Sequence, residues 1–205
     1  MRVSILAALL ALGAVVPLAA QTVPLPPKIA APSGRYAIDP THASVTMTWQ
    51  HMGLERYTAR FTKIASTVDY DTADPTRSRL EATIATNSVR TDFPYREKVD
   101  FDAEIANKFL HADQHPDIRF VSRRIERTGP ETGRIIGDLT MNGVTKPLTL
   151  DARFDGAVVN PLSKKVTMGI SAEGVVHRAE YGVTVAEPIV GDDIAFRIEA
   201  EYAKQ

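Results

Sequence analysis

Five histidines are the residues of this chain that could most readily bind a metal ion. His111 and His115 are four residues apart and could share one face of a helix, whereas His42, His51 and His177 are scattered along the chain. A zinc site needs three or four converging ligands with supporting hydrogen bonds, and no compact motif such as His-Glu-x-x-His is present. The sequence therefore predicts no metal and no cofactor. A histidine-based, metal-dependent hydrolase is the minor alternative, and it requires at least three histidines to converge.

Acidic side chains form the second group that could do chemistry. Glu97, Asp100, Asp102 and Glu104 cluster, but carboxylates in the first turn of a helix accept its free amides and need no catalytic role. The chain has no Gly-x-Ser-x-Gly motif and no glycine-rich phosphate loop. It also has no cysteine, which excludes thiol nucleophiles and cysteine-based zinc sites. We predict that the protein is not an enzyme.

The N-terminus has the pattern of an export signal. Arg2 precedes an apolar run over residues 3–16, and Pro17 and Ala20 provide the turn and the small residue of a cleavage site. We predict a signal peptide over 1–20, a Pro/Ala-rich linker over 21–33 and one domain over 34–205, secreted into the periplasm. The formal net charge of −1 does not favour binding to nucleic acid.

Apolar and polar residues alternate through most of this domain, as in strands with one buried face. Val45, Met47 and Trp49 alternate with threonine and glutamine, and turn sequences such as Asn142-Gly143 separate successive runs. About eight runs with short links predict an antiparallel sheet, which must close into a barrel or fold into a sandwich. Periodicity does not distinguish a packed interior from a cavity.

One helix interrupts the strands. Phe101, Ile105 and Phe109 recur every four residues, which predicts an amphipathic helix that Asp100 or Asp102 caps and that ends before Pro116. Its apolar face could cap one end of the barrel or act as a lid.

The polar landmarks give the chain a family resemblance. They are Asp39, His42, Ser44, His51, Gly53, Ser88, Arg90, Thr91, Arg96, Phe109, His115, Pro116, Ile118, Phe120, Gly137, Leu139, Asn142, Gly143, Val144, Thr145, Lys146, Arg178, Tyr181, Gly182, Gly191 and Asp192. With these residues in this order and spacing, the chain resembles the YceI family, lipocalin-like polyisoprenoid-binding proteins of bacterial envelopes. The segment Gly137 to Lys146 is the most specific part.

This resemblance implies an all-β fold, an eight-stranded antiparallel lipocalin-like barrel with one amphipathic helix in a crossover, around a deep apolar pocket. Residues expected to line the apolar tunnel are Trp49, Phe61, Ile84, Phe101, Ile105, Phe109, Ile118, Phe120, Leu139, Met141, Leu148, Leu150, Phe154, Met168, Ile170, Phe196 and Ile198. Residues expected at a polar mouth are Arg90, Arg96, Asn142, Lys146, Arg178 and Tyr181. At residues 96–99, near this mouth, the chain departs from the pattern of the family. The resemblance therefore does not identify the head group of the ligand.

Two functions from different classes remain. The first is a periplasmic carrier that sequesters a lipid-like molecule, such as a polyisoprenoid, an isoprenoid quinone or a fatty acyl derivative. An inner-membrane redox or lipid-handling protein is its expected partner. The second is a stress-related interaction module with a packed barrel and a functional outer surface. The sequence does not decide the oligomeric state, and a homodimer is compatible with both functions.

Overall fold

Alternating apolar and polar residues form ten β-strands in this computed structural model, which describes residues 24–205. The strands are β1 (Gly34–His51), β2 (Glu55–Phe61), β3 (Ile64–Tyr70), β4 (Arg79–Ala85), β5 (Val89–Arg90), β6 (Asp117–Arg127), β7 (Thr132–Met141), β8 (Val144–Val159), β9 (Val166–His177) and β10 (Asp193–Lys204). The predicted signal peptide lies outside the described residues.

The sheet closes into a barrel because its first and last strands pair. β1 runs antiparallel to β10, with Tyr36 opposite Lys204 and Thr48 opposite Ala195. Around the ring, β10 is followed by β9, β8, β7, β6, β4, β3 and β1, and neighbouring strands are antiparallel. The predicted eight-stranded antiparallel barrel is therefore confirmed.

β2 and β3 are two halves of one bent strand. β2 pairs with the second half of β1 and β3 with the first half. At the bend, Thr62 donates its amide to the carbonyl of Ser88 at 3.1 Å, and the Lys63 amide donates to Ser88 Oγ at 3.1 Å. The bend is therefore held by hydrogen bonds that Ser88, in the turn before β5, accepts. The strand β5 itself pairs with the end of β2.

The predicted helix lies in the crossover between β5 and β6. It comprises α1 (Phe101–Glu104) and a wider helical turn over Ile105–Phe109. Asp100 caps α1 by accepting the amide of Ala103 at 3.0 Å. Asp102 is buried and accepts both the amide and the hydroxyl of Thr91 at 2.7 Å, so the helix is fixed to the chain that follows β5.

The barrel is filled at the end where β1 begins. Tyr36 packs edge-on against Tyr70 with ring centroids 6.3 Å apart, and Phe154 stacks on Tyr70 at 6.1 Å. Met168 is only 1% exposed. The described part of the predicted linker lies against this end, where Ile29 donates its amide to Ala157 at 2.8 Å.

Within residues 24–205, no helix is both long and apolar enough to cross a bilayer.

Candidate functional site

The interior of the barrel contains a cavity of about 540 Å³. Met47, Trp49, Phe196 and Ile198 point into the barrel, yet they are only partly buried because they border open space. A volume of this size is typical of small-molecule sites. The filled interior that the packed-module alternative requires is therefore not what the structure has.

The wall is apolar, and two glycines of the barrel leave room for large aromatic rings. A Cβ on Gly137 would stand 2.6 Å from the ring of Phe120, and a Cβ on Gly174 would stand 2.5 Å from the ring of Phe196. Such approaches are open only to glycine. Both aromatic side chains line the cavity without filling it.

Most of the predicted tunnel residues come together on this wall. They are Trp49, Phe61, Ile84, Phe101, Ile105, Phe109, Ile118, Phe120, Leu139, Met141, Leu148, Leu150, Ile170, Phe196 and Ile198. Phe154 and Met168 do not line the cavity, because they belong to the filled end of the barrel. Alternation shows that a side chain points inward but not how deep along the strand it lies.

Exposed lining residues mark the mouth of the cavity. His51 and Glu55 flank the β1–β2 turn, and Ile189 lies in the loop between β9 and β10. The two segments are joined, since Met52 donates its amide to the carbonyl of Ile189 at 2.7 Å. Three side chains of the helical segment, including Phe101, line the same cavity. The helix therefore forms part of its wall.

A chain of aromatic contacts leads from the cavity towards solvent. Trp49 lies 5.2 Å from Tyr57, Tyr57 lies 5.9 Å from Phe101, and Phe101 lies 5.3 Å from Phe93. Phe93 in turn contacts the exposed Tyr95 at 6.0 Å. Burial raises the pKa of the Tyr57 phenol. An ordinary phenol is already neutral at physiological pH, so Tyr57 can both donate and accept a hydrogen bond there.

Arg178 holds the loop between β9 and β10 in place. It lines the cavity but is only 3% exposed. Its guanidinium donates to the carbonyls of Gly191 at 2.9 Å, Val183 at 2.7 Å, Val185 at 2.9 Å and Val190 at 2.8 Å. These bonds take up most of its donors. Arg178 therefore shapes the mouth, which differs from the head-group contact that the sequence predicts.

Asn142 joins three segments at the open end. Its side-chain amide donates to the carbonyl of Tyr181 at 2.8 Å, and its Oδ1 lies 2.8 Å from His111 Nδ1. Tyr181 is buried, and its pKa is raised by burial and by the charge of Glu180. Neither Asn142 nor Tyr181 lines the cavity, so both predicted mouth residues have structural partners instead.

The other predicted mouth residues also lie off the cavity wall. Arg90 donates to carbonyls of its own turn, Arg96 donates to Asp102 at 2.8 Å, and Lys146 lies 3.7 Å from Glu180. The polar mouth predicted from the sequence is thus replaced by His51, Glu55 and Tyr57. His51 is one of the landmarks of the family resemblance, but Glu55 and Tyr57 carry no motif that marks them.

Ser66 and Tyr202 form a polar pair deep in the cavity. Both line it and both are buried. Ser66 Oγ lies 2.8 Å from the carbonyl oxygen of Glu81 and 3.1 Å from Tyr202 Oη. Neither residue was expected at the site from the sequence, although Ser66 shares the inward parity of Ile64 and Val68.

The five histidines do not converge. Among residues 24–205, the one group of three side chains close enough to share an ion is exposed and consists of His177, Asp192 and Asp193. His177 forms an ion pair with Asp193 at 2.8 Å, and His42 forms one with Asp39 at 3.0 Å. The structure does not support the metal-dependent hydrolase.

Residues 36–202 match the family model of the YceI-like domain. The chain belongs to the YceI-like family. It is similar to Protein YceI of Salmonella arizonae, with 32% identity over 84% of this chain and 88% of that protein. The family resemblance inferred from the sequence is therefore confirmed.

Solved structures share the YceI-like fold. The crystal structure of BcnA from Burkholderia cenocepacia has a TM-score of 0.69 and 19% identity, over 80% of this chain and 98% of that one. A polyisoprenoid binding domain from Saccharophagus degradans, implicated in plant cell wall breakdown, has a TM-score of 0.58 and 11% identity, over 83% and 98%. At these identities the likeness shows the fold alone.

Proposed function

We propose that this protein is a non-catalytic carrier that encloses one long apolar chain in its barrel. The observation that supports this most directly is the apolar cavity of about 540 Å³ with its mouth beside the β1–β2 turn. Because one protein that shares the fold is a polyisoprenoid binding domain, a prenyl chain is our first candidate, and an acyl chain or the tail of an isoprenoid quinone has the same apolar chemistry.

The size of the cavity sets the length of chain that it can bury. At about 30 Å³ for each water-sized group, 540 Å³ holds roughly 18 carbon atoms. At ~0.8 kcal/mol per buried methylene, these would contribute about 14 kcal/mol. Association costs at least about 4 kcal/mol in lost freedom of motion. We therefore expect a dissociation constant no tighter than roughly 50 nM, which suits a carrier that must release its ligand.

We also propose that the carrier works in the periplasm. The apolar run behind Arg2 supports export, and the absence of cysteine means that folding needs no disulfide there. A carrier in this compartment needs a donor and an acceptor for its ligand, for which an inner-membrane redox or lipid-handling protein is our candidate.

Native mass spectrometry of the protein purified from its own host tests this function. We expect a bound mass in a one-to-one ratio, and organic extraction should release a compound with a long apolar chain. A protein that carries no ligand and takes up no prenyl or acyl chain added in excess would contradict the proposal. Denatured protein taken through the same extraction is the control for lipid that adheres without a folded cavity.

A further inference from the structure

Two polar side chains lie at the inner end of an otherwise apolar cavity. Ser66 and Tyr202 come from β3 and β10, which are separated by β1 in the ring. Directly beyond them the barrel is filled, since Tyr202 pairs with the buried Met168, and Val68, two residues after Ser66, is also buried. We call Ser66 and Tyr202 the cavity floor.

The directions of the hydrogen bonds at the floor follow from the partners. Ser66 Oγ donates to the carbonyl oxygen of Glu81 at 2.8 Å, because a carbonyl can only accept. The single hydroxyl proton of Ser66 is thus used, and the 3.1 Å contact must be a bond that Tyr202 donates. Tyr202 Oη then has no proton to give, but it keeps a lone pair that can accept.

The floor pair is not needed to close the barrel. Backbone pairing between β1 and β10 does that, and replacing two hydrogen-bonded groups by apolar groups of similar shape costs a protein little. The charged residues that line the cavity, Glu55 and Arg178, belong to the mouth. The floor therefore offers a neutral hydrogen-bond acceptor and no charge.

We infer that the cavity floor is a binding subsite for a hydroxyl group at the buried end of the ligand chain, with Tyr202 Oη as the acceptor. This inference rests on the proposed carrier function and narrows its ligand class. The subsite fits chains with a hydroxyl at the far end, and long-chain alcohols that enter with the hydroxyl first. A chain whose buried end is charged does not fit, because no opposite charge lies at the floor.

The test compares palmitic acid with ω-hydroxypalmitic acid by calorimetry. Each acid is titrated into the wild-type protein, into the double variant Ser66→Val/Tyr202→Phe and into Tyr36→Phe. In Tyr202→Phe alone the ligand hydroxyl could donate to Ser66 in place of the lost phenol. An alanine at position 66 would leave the Glu81 carbonyl free to accept it, so the larger valine is used to cover that carbonyl. Tyr36→Phe is the matched control, since it removes a buried phenol that donates to Pro32 at 2.7 Å and does not line the cavity.

In the wild-type protein and in Tyr36→Phe, we expect the two acids to bind with similar dissociation constants. In the double variant the ligand hydroxyl has no partner, so the hydroxy acid should bind at least about fivefold more weakly than palmitic acid, as expected for an unpaired buried hydroxyl. The affinity for palmitic acid itself should change little.

The outcomes separate this inference from the function on which it rests. If palmitic acid binds and the ratio of the two constants is the same in all three proteins, the floor subsite is wrong and the carrier function stands. If neither acid binds the wild-type protein, the floor subsite is wrong, and the carrier function fails with it only if a prenyl chain added in excess is not taken up either. If the double variant does not fold, NMR is used instead, on the wild-type protein bound to ω-hydroxypalmitic acid that is isotope-labelled at its hydroxyl end. The labelled end must lie next to the Tyr202 ring, and a label at the mouth overturns the inference.

Discussion

Ala82→Phe should shorten the chain that the protein can hold. Ala82 lies on β4, lines the cavity and is only partly buried, so a phenyl ring there would enter open space. Its six added carbons would occupy about 180 Å³ at ~30 Å³ each, which is a third of the 540 Å³ cavity. A chain that fills the wild-type cavity would lose contact for about six methylenes.

At ~0.8 kcal/mol per methylene, this loss amounts to about 5 kcal/mol, or between three and four orders of magnitude in affinity. This is an upper limit, because the chain could instead extend further through the mouth. Octanoic acid is short enough for the remaining space, so its affinity should change by less than threefold. Calorimetry with saturated fatty acids from octanoic to palmitic acid measures the dependence on length.

Ala65→Phe is the matched control. Ala65 lies on the neighbouring strand β3, next to Ser66, but faces outward and is exposed. The same substitution there should leave binding at every length unchanged. The reasoning is refuted if Ala82→Phe keeps the wild-type melting temperature and still binds palmitic acid with wild-type affinity, because the chain would then lie outside the cavity.

Three further substitutions test the supports of the mouth and the charged surface. Arg178→Lys cannot reach four carbonyls and should lower the free energy of unfolding by about 3 kcal/mol or more, with faster hydrogen exchange in the loop before β10. Asp102→Asn removes the carboxylate to which Arg96 donates and should lower the free energy of unfolding, measured by chemical denaturation, by about 1–3 kcal/mol. The Asp39 hydrogen bond raises the pKa of His42, so the stability that His42 contributes is present below its unfolded pKa and is lost as pH rises through its folded pKa. In Asp39→Asn, NMR titration should find the His42 pKa lowered towards its usual value, and an unchanged pKa would contradict this assignment.

The strands and the helix could be predicted because their signals are local, whereas the family resemblance implied that the sheet closes into a barrel. Inward and outward residues alternate along each strand, and the spacing of Phe101, Ile105 and Phe109 gave the helix. The bend between β2 and β3 could not be predicted, because it depends on hydrogen bonds from Ser88, a residue distant in sequence.

The site was predicted unevenly for a similar reason. Side-chain parity gave the inward faces of the strands and the family resemblance implied a cavity, but neither carries information on depth, which is why Phe154 and Met168 were expected on a wall that they do not line. Arg90 and Arg178 were expected to contact a ligand because sequence patterns do not show the backbone carbonyls to which they donate. Four of those carbonyls satisfy Arg178, and they converge only after the loop has folded around it.

The filled end of the barrel, packed by Tyr36, Tyr70 and Phe154, has a consequence for exchange. A tube that is closed at one end is loaded and emptied through the same opening, so an incoming molecule cannot push the previous one out from behind. For the proposed carrier, delivery and reloading must therefore alternate, and a donor and an acceptor of the chain would compete for the same surface around the opening.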